Sequence, residues 1–171
     1  MEAVGLSRYL DLLRAPGVWP LLLGSWTVRL SYGMNLLALI LMLRAAELSY
    51  AEVGLVAGGA GLALGATAPT LGRLVDRVGQ TRVLVATGTV ALAGGAALLG
   101  AAVAGAGVVP LLALALVSGA ATPPVSPCMR ALWPRLVERE RLDTAYAFDA
   151  IQLEFFFIVG PLLAAGIASA V

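Results

Sequence analysis

The chain contains no histidine and no lysine, a single cysteine at Cys128, and only 12% charged residues in 171. One cysteine rules out a disulfide framework within the chain. Without histidine, a mixed histidine and cysteine metal site is excluded as well. The scarcity of charge excludes a soluble domain: with 60% of residues hydrophobic, too few polar side chains remain to clothe a surface. No nucleophile stands beside a base, and the glycine-rich run Gly58-Gly59-Ala60-Gly61 lies inside an apolar stretch where a phosphate cradle is implausible. The sequence therefore predicts no enzyme, no cofactor, no metal and no nucleic-acid partner.

What is present is oil-soluble. Mean hydropathy is +0.94, which places the chain in the lipid bilayer as a multi-pass membrane protein. Glu2 and Asp11 interrupt the N-terminal positive region, and the apolar run that follows outlasts a signal peptide, so the first membrane helix is expected to be retained. Residues 1 to 17 read as a short interfacial segment. In it Leu6, Tyr9, Leu10 and Leu13 recur at helical spacing until Pro16 and Gly17 break the pattern.

Residues 18 to 171 divide into five apolar runs, each near the roughly 20 residues that cross a bilayer. The sequence predicts an all-α bundle with spans at about Val18–Leu43, Ala51–Leu71, Arg82–Val103, Val108–Pro127 and Thr144–Val171. In the second, Gly54, Gly58, Gly61, Gly65, Ala68 and Gly72 form a stripe of small residues suited to close helix packing. Pro123, Pro124 and Pro127 distort the end of the fourth. Cys128 to Asp143 is a basic connection, and Asp143 and Thr144 are N-cap candidates for the fifth span, with Gly160-Pro161 as its kink.

Arginine placement sets the topology. With the N-terminus in the cytoplasm, nine arginines fall inside (8, 14, 73, 77, 82, 130, 135, 139 and 141) and only Arg44 outside. Five spans then leave Val171 on the outer side.

Gly72 to Leu84 is the one strongly charged, glycine-punctuated turn between two apolar runs. Gly72 is expected to end one run, Gly79 to permit the reversal, and Arg73, Arg77 and Arg82 to stay in water or headgroups. Its spacing resembles the signature of the major facilitator superfamily, G-x-L-a-D-r-x-G-r-k-x-x-l. Gly72, Leu74, Asp76, Arg77, Gly79 and Leu84 fall on that pattern, whereas Gln80 and Thr81 replace its basic pair. The resemblance implies a transporter in the cell (plasma) membrane, of which this chain matches the first five helices, an incomplete N-terminal half. It implies as partner a missing C-terminal half or another membrane protein, and it implies that the isolated chain does not transport. It makes Gly72, Asp76, Arg77, Gly79 and Arg82 a cytoplasmic gating loop, and implies that a small-molecule substrate passes near mid-membrane. Gly160-Pro161 resembles part of the fifth-helix signature of exporters, with Phe156, Ala164 and Ala165 in place of its other glycines. The exporters' fourth-helix arginine is absent: Ala115 stands there.

Two charges lie inside spans. Arg29, near mid-depth of the first, costs about 2.5–3.5 kcal/mol on insertion scales and needs a partner or a wet cavity. Glu154 in the fifth is the expected partner, as a buried ion pair that fixes packing or as a titrating proton site. Arg29, Tyr32, Asn35, Ser118 and Thr122 are the candidate lining of a substrate path. The other class of function open to the chain is a non-transporting scaffold whose glycine stripe binds partner helices.

Overall fold

The computed structural model describes residues 6–169. Glu2 and Val171 lie outside them. Every regular element among the described residues is helical: α1 (Leu6–Arg14), α2 (Val18–Ala45), α3 (Tyr50–Val78), α4 (Gln80–Val103), α5 (Val108–Ala120), α6 (Val125–Leu136), a 3-10 turn (Arg139–Arg141) and α7 (Leu142–Ser169). Among the described residues, five stretches are long and apolar enough to cross a membrane: Val18–Ala45, Tyr50–Val78, Gln80–Val103, Val108–Leu136 and Arg139–Ser169.

Two compact units emerge from the contacts, Leu36–Pro124 forming one and the described residues up to Asn35 with those from Val125 onward forming the other. The Leu36–Pro124 unit is built on α3, α4, α5 and the end of α2. Its core is Leu43, Leu48, Val53, Val56, Leu98, Ala102, Leu111 and Ala115. In lipid this packing is held by close contact rather than by expulsion of water, so small residues matter where backbones meet. Gly119 of α5 is such a place: a Cβ there would collide with the backbone of Ala60 in α3. The α2–α3 connection is pinned twice. Ser49 and Glu52 form a capping box, with Ser49 N donating to Glu52 Oε2 at 2.8 Å and Glu52 N to Ser49 Oγ at 3.3 Å. Arg44 donates to the Leu48 carbonyl and sets its guanidinium 4.2 Å from the centre of the Tyr50 ring.

Three expectations change here. Gly72 does not end a helix: α3 continues through Arg73, Asp76 and Arg77 to Val78, and the reversal is Gly79 alone, at φ 93°. Charges end the lipid-compatible stretch, but they do not interrupt the helical hydrogen-bond ladder. Nor does the glycine stripe of α3 meet a neighbour among the described residues, where nothing lies within 4 Å of a Cβ built on Gly54, Gly58, Gly61, Gly65 or Gly72. The packed glycine of α3 is instead Gly59, against Leu112. Finally, the fourth span breaks near its middle. Pro123 and Pro124 lack the N–H groups that α5 would need to continue, so α5 stops at Ala120. The Thr67 hydroxyl lies within hydrogen-bond reach of the Ala120 carbonyl across the unit, at 2.9 Å, and shares its one hydrogen with the Ala63 carbonyl of its own helix, at 2.8 Å.

The other unit contains α1, the start of α2, α6 and α7. Pro127 sits in the first turn of α6, where a missing N–H costs nothing, so Cys128 to Leu136 is helix rather than connection. Asp143 and Thr144 lie inside the first turn of α7, not at its cap, because the 3-10 turn leads directly into that helix. In α1 the fully buried residue is Leu12, outside the anticipated stripe, while Leu10 of that stripe is 48% exposed. Tyr9 packs its ring 6.1 Å from Phe148 of α7. One face of α1 thus rests on the bundle and leaves Leu10 free for an interface.

Candidate functional site

Two helical faces meet in the second unit. On α2 the buried positions Val18, Leu22, Ser25, Arg29 and Gly33 recur every three or four residues. On α7 the buried positions Ala145, Asp149, Gln152, Phe156, Gly160 and Ala164 do the same. The helices touch where both lack side chains: a Cβ on Gly160 would fall 2.6 Å from the Cα of Gly33, and a Cβ on Gly33 would strike the Phe156 carbonyl.

Toward the N-terminus from this crossing, about one turn along α2 and two to three turns along α7, lies a buried polar cluster. Arg29 Nη2 donates to Asp149 Oδ1 at 2.5 Å, and Arg29 Nη1 donates to the Asp149 carbonyl at 3.0 Å. Both side chains are almost fully enclosed, 1% and 4% exposed. The second carboxylate oxygen of Asp149 faces Arg130 Nε of α6 at 3.9 Å, and that arginine is largely exposed. Beside the pair, Trp26 Nε1 donates to Gln152 Oε1. The buried Arg29 Nε and Gln152 Nε2 have no hydrogen-bond partner among the described residues. Asp149 is therefore the node that joins three helices: two oxygens, two arginines and its own backbone carbonyl.

The partner of Arg29 is thus Asp149 and not Glu154. Helix geometry explains the difference. Five residues separate the two carboxylates, which turns Glu154 about 140° around α7 from Asp149. Glu154 is exposed, and it makes no ion pair among the described residues. Long side chains on a helix also lean toward its N-terminus, so Arg29 reaches below its own level. The signal that would have found Asp149 was the spacing it shares with Gln152 and Gly160.

The remaining path candidates divide between the units. Beside the buried Arg29, Tyr32 is half-buried and Asn35 exposed. In the Leu36–Pro124 unit, the buried hydroxyl of Ser118 lies against Gly94 without a hydrogen-bond partner among the described residues. Thr122 Oγ1 donates back to the Ser118 carbonyl at 3.3 Å. At the α3–α4 junction, Asp76, Arg77, Gly79 and Arg82 are exposed and Gly72 half-buried, and none of the charged groups there forms an ion pair among the described residues. Gly160 and Pro161 lie within an uninterrupted α7, where Gly160 serves the close crossing with Gly33. Among the described residues, no three His, Cys, Asp or Glu side chains come together to hold a metal ion.

A search of curated proteins and a search of solved structures each return no match. The family model of the Major Facilitator Superfamily matches residues 21–171. That match takes in the first membrane-length helix from Leu21 and the other four whole, with the Gly79 reversal, its motif residues and the Arg29–Asp149 node, and the chain accordingly belongs to the Major Facilitator Superfamily of membrane transporters.

Proposed function

We propose that the protein is a secondary carrier that moves a small molecule outward across the cell membrane by alternating access. The observation that carries this reading is the family match, reinforced by the motif residues Gly72, Leu74, Asp76, Arg77, Gly79 and Leu84 at the α3–α4 junction. Asp76 and Arg77 are exposed and free of ion pairs among the described residues, which suits contacts made in one state and broken in the other. The arginine bias supports a cytoplasmic side for this junction and the N-terminus. Tyr32 and Asn35 in one unit, and Ser118 and Thr122 in the other, are each proposed by themselves as residues that meet the substrate. Arg29, tied at two points to Asp149, holds α2 and α7 in place rather than meeting substrate. Further transmembrane helices, from a longer protein or from another one, complete the path.

The test is accumulation of a panel of membrane-permeant dyes in cells expressing the protein from its own gene. Export lowers accumulation of at least one dye, and Asp76→Asn restores it to the level of cells lacking the gene. Raised accumulation reverses the direction, and no difference for any dye or metabolite tried removes the carrier reading.

A second reading, a scaffold that binds partner helices, is favoured by one observation: the glycine stripe of α3 is open along Gly54, Gly58, Gly61, Gly65 and Gly72. Release of a co-purifying membrane protein by Gly61→Leu would support it.

A further inference from the structure

A hollow of about 350 Å³ opens between the end of α1 and the turn that joins α6 to α7, within one compact unit. That volume falls in the range of small-molecule sites, which begins at roughly 300 Å³. A second hollow, of about 230 Å³, shares Asp11 and Arg141 with it and reaches Glu140 and the buried Thr144. Asp11 to Pro16 directly precede the first membrane-length stretch, Val18–Ala45. Leu136 to Arg141 stand where the fourth such stretch ends and the fifth begins. The hollow therefore sits at the end of the spans, at the depth of lipid headgroups. Trp19, 47% exposed, marks that level as interfacial tryptophans do, and Leu10, 48% exposed, offers an apolar flank to acyl chains.

The lining carries both signs of charge. Arg14 and Arg141 present guanidinium forks suited to a phosphate. Asp11, Glu138 and Glu140 present carboxylates that outnumber the arginines, so a purely anionic guest is disfavoured and an ammonium group is favoured. Arg14 approaches Asp11, and Arg141 approaches Glu138, at only 3.8 Å, each pair three residues apart in its own segment and well exposed. Such loose surface pairs hold one another weakly, which leaves the four groups available to a guest.

From the depth of the hollow and this charge complementarity we propose that it binds the headgroup of a zwitterionic phospholipid, a phosphate and an ammonium on one short chain. Arg14 and Arg141 take the phosphate, and Asp11, Glu138 and Glu140 the ammonium. Ala15, Pro16, Leu136 and Val137 meet the glycerol and the first methylenes. A bound lipid then ties α1 to the start of α7, which the Tyr9–Phe148 ring contact already brings together. Binding here is independent of what the protein carries.

Native mass spectrometry of the purified, detergent-solubilised protein reads the site. Phosphatidylethanolamine and phosphatidylglycerol with the same acyl chains are added in equal amounts. The expected result is a preference of roughly fivefold for phosphatidylethanolamine, the upper end of what an exposed charge pair supplies. Arg14→Gln with Arg141→Gln should abolish retention of phosphatidylethanolamine. Asp11→Asn with Glu138→Gln should remove the preference and keep phosphatidylglycerol bound. All four side chains are exposed, so both double variants should fold, and helical circular dichroism verifies this. Short-chain dihexanoylphosphatidylethanolamine should displace the lipid, and inorganic phosphate should not. Equal retention of the two lipids by the unaltered protein overturns the proposal, as does unchanged retention or preference in the double variants. Displacement by inorganic phosphate as complete as by the short-chain lipid also overturns it, because the hollow is then a plain anion site.

Discussion

Arg29 reaches back toward its own N-terminus to grip Asp149 at two points, the carboxylate at 2.5 Å and the main-chain carbonyl at 3.0 Å. The carboxylate nearer in depth, Glu154, is on the far side of α7. The grip joins α2 to α7 in a place with almost no exposure to solvent or lipid, and Arg130 of α6 closes on the remaining oxygen.

Breaking that pair leaves one buried charge without its counterpart. Arg29→Ala or Asp149→Ala should each lower stability by about 3–5 kcal/mol. The charge swap Arg29→Asp with Asp149→Arg should recover part of the loss, whereas Arg29→Glu with Glu154→Arg should recover none. Thermal unfolding in detergent, followed by circular dichroism, reads all of these. Rescue by the Glu154 swap would contradict the assignment.

Glycine positions separate into two classes with opposite expectations. Gly33→Leu and Gly160→Leu push the α2 and α7 backbones apart and should destabilise by about 1–3 kcal/mol. Gly61→Ala and Gly65→Ala meet open space on α3 and should be neutral, or stabilising by about 0.5–1 kcal/mol from the lower cost of fixing alanine in a helix. Thermal midpoints of the four variants test the division. A scaffold partner seated on the α3 stripe would show itself as destabilisation in the second pair.

The broken fourth span depends on a donor from α3. Thr67→Val keeps the shape and removes the hydroxyl shared between the Ala63 and Ala120 carbonyls, at a cost of about 0.6 kcal/mol and at most about 1.7, the mean and maximum for hydrogen bonds between membrane helices. Thr89→Val, whose hydroxyl donates only to the Val85 carbonyl within its own helix on an exposed face, is the comparison and should cost less. Equal effects would remove any special role from Thr67.

These particulars show what the sequence makes legible and what it hides. Five spans can be read directly, since apolar length alone decides them, and so can the reversal at Gly79. Helix ends are hidden where charge and helix boundary do not coincide, as at Arg73 to Arg77: polarity reports the limit of the bilayer, not of the hydrogen-bond ladder. The mid-span break at Pro123-Pro124 is visible as proline, but sequence alone sets it toward the end of the span, because Pro127 reads as a third breaker and is a tolerated first-turn residue. At the site, the need of Arg29 for a buried carboxylate followed from energetics, while the choice between Asp149 and Glu154 needed the angular position of each on α7. The stripe of α3 failed for the complementary reason. Small residues permit close packing, but nothing in their spacing says whether a neighbour is there.

The central claim is a chain threaded five times through the bilayer with its arginine-rich ends on one side. Cysteine accessibility in a Cys128→Ala background measures it most directly, with Arg77→Cys, Arg139→Cys and Glu47→Cys labelled in intact cells by a membrane-impermeant maleimide. The account predicts that Glu47→Cys is labelled from outside, and that Arg77→Cys and Arg139→Cys react only after the cells are opened. Labelling of Arg77→Cys and Arg139→Cys from opposite sides would contradict it.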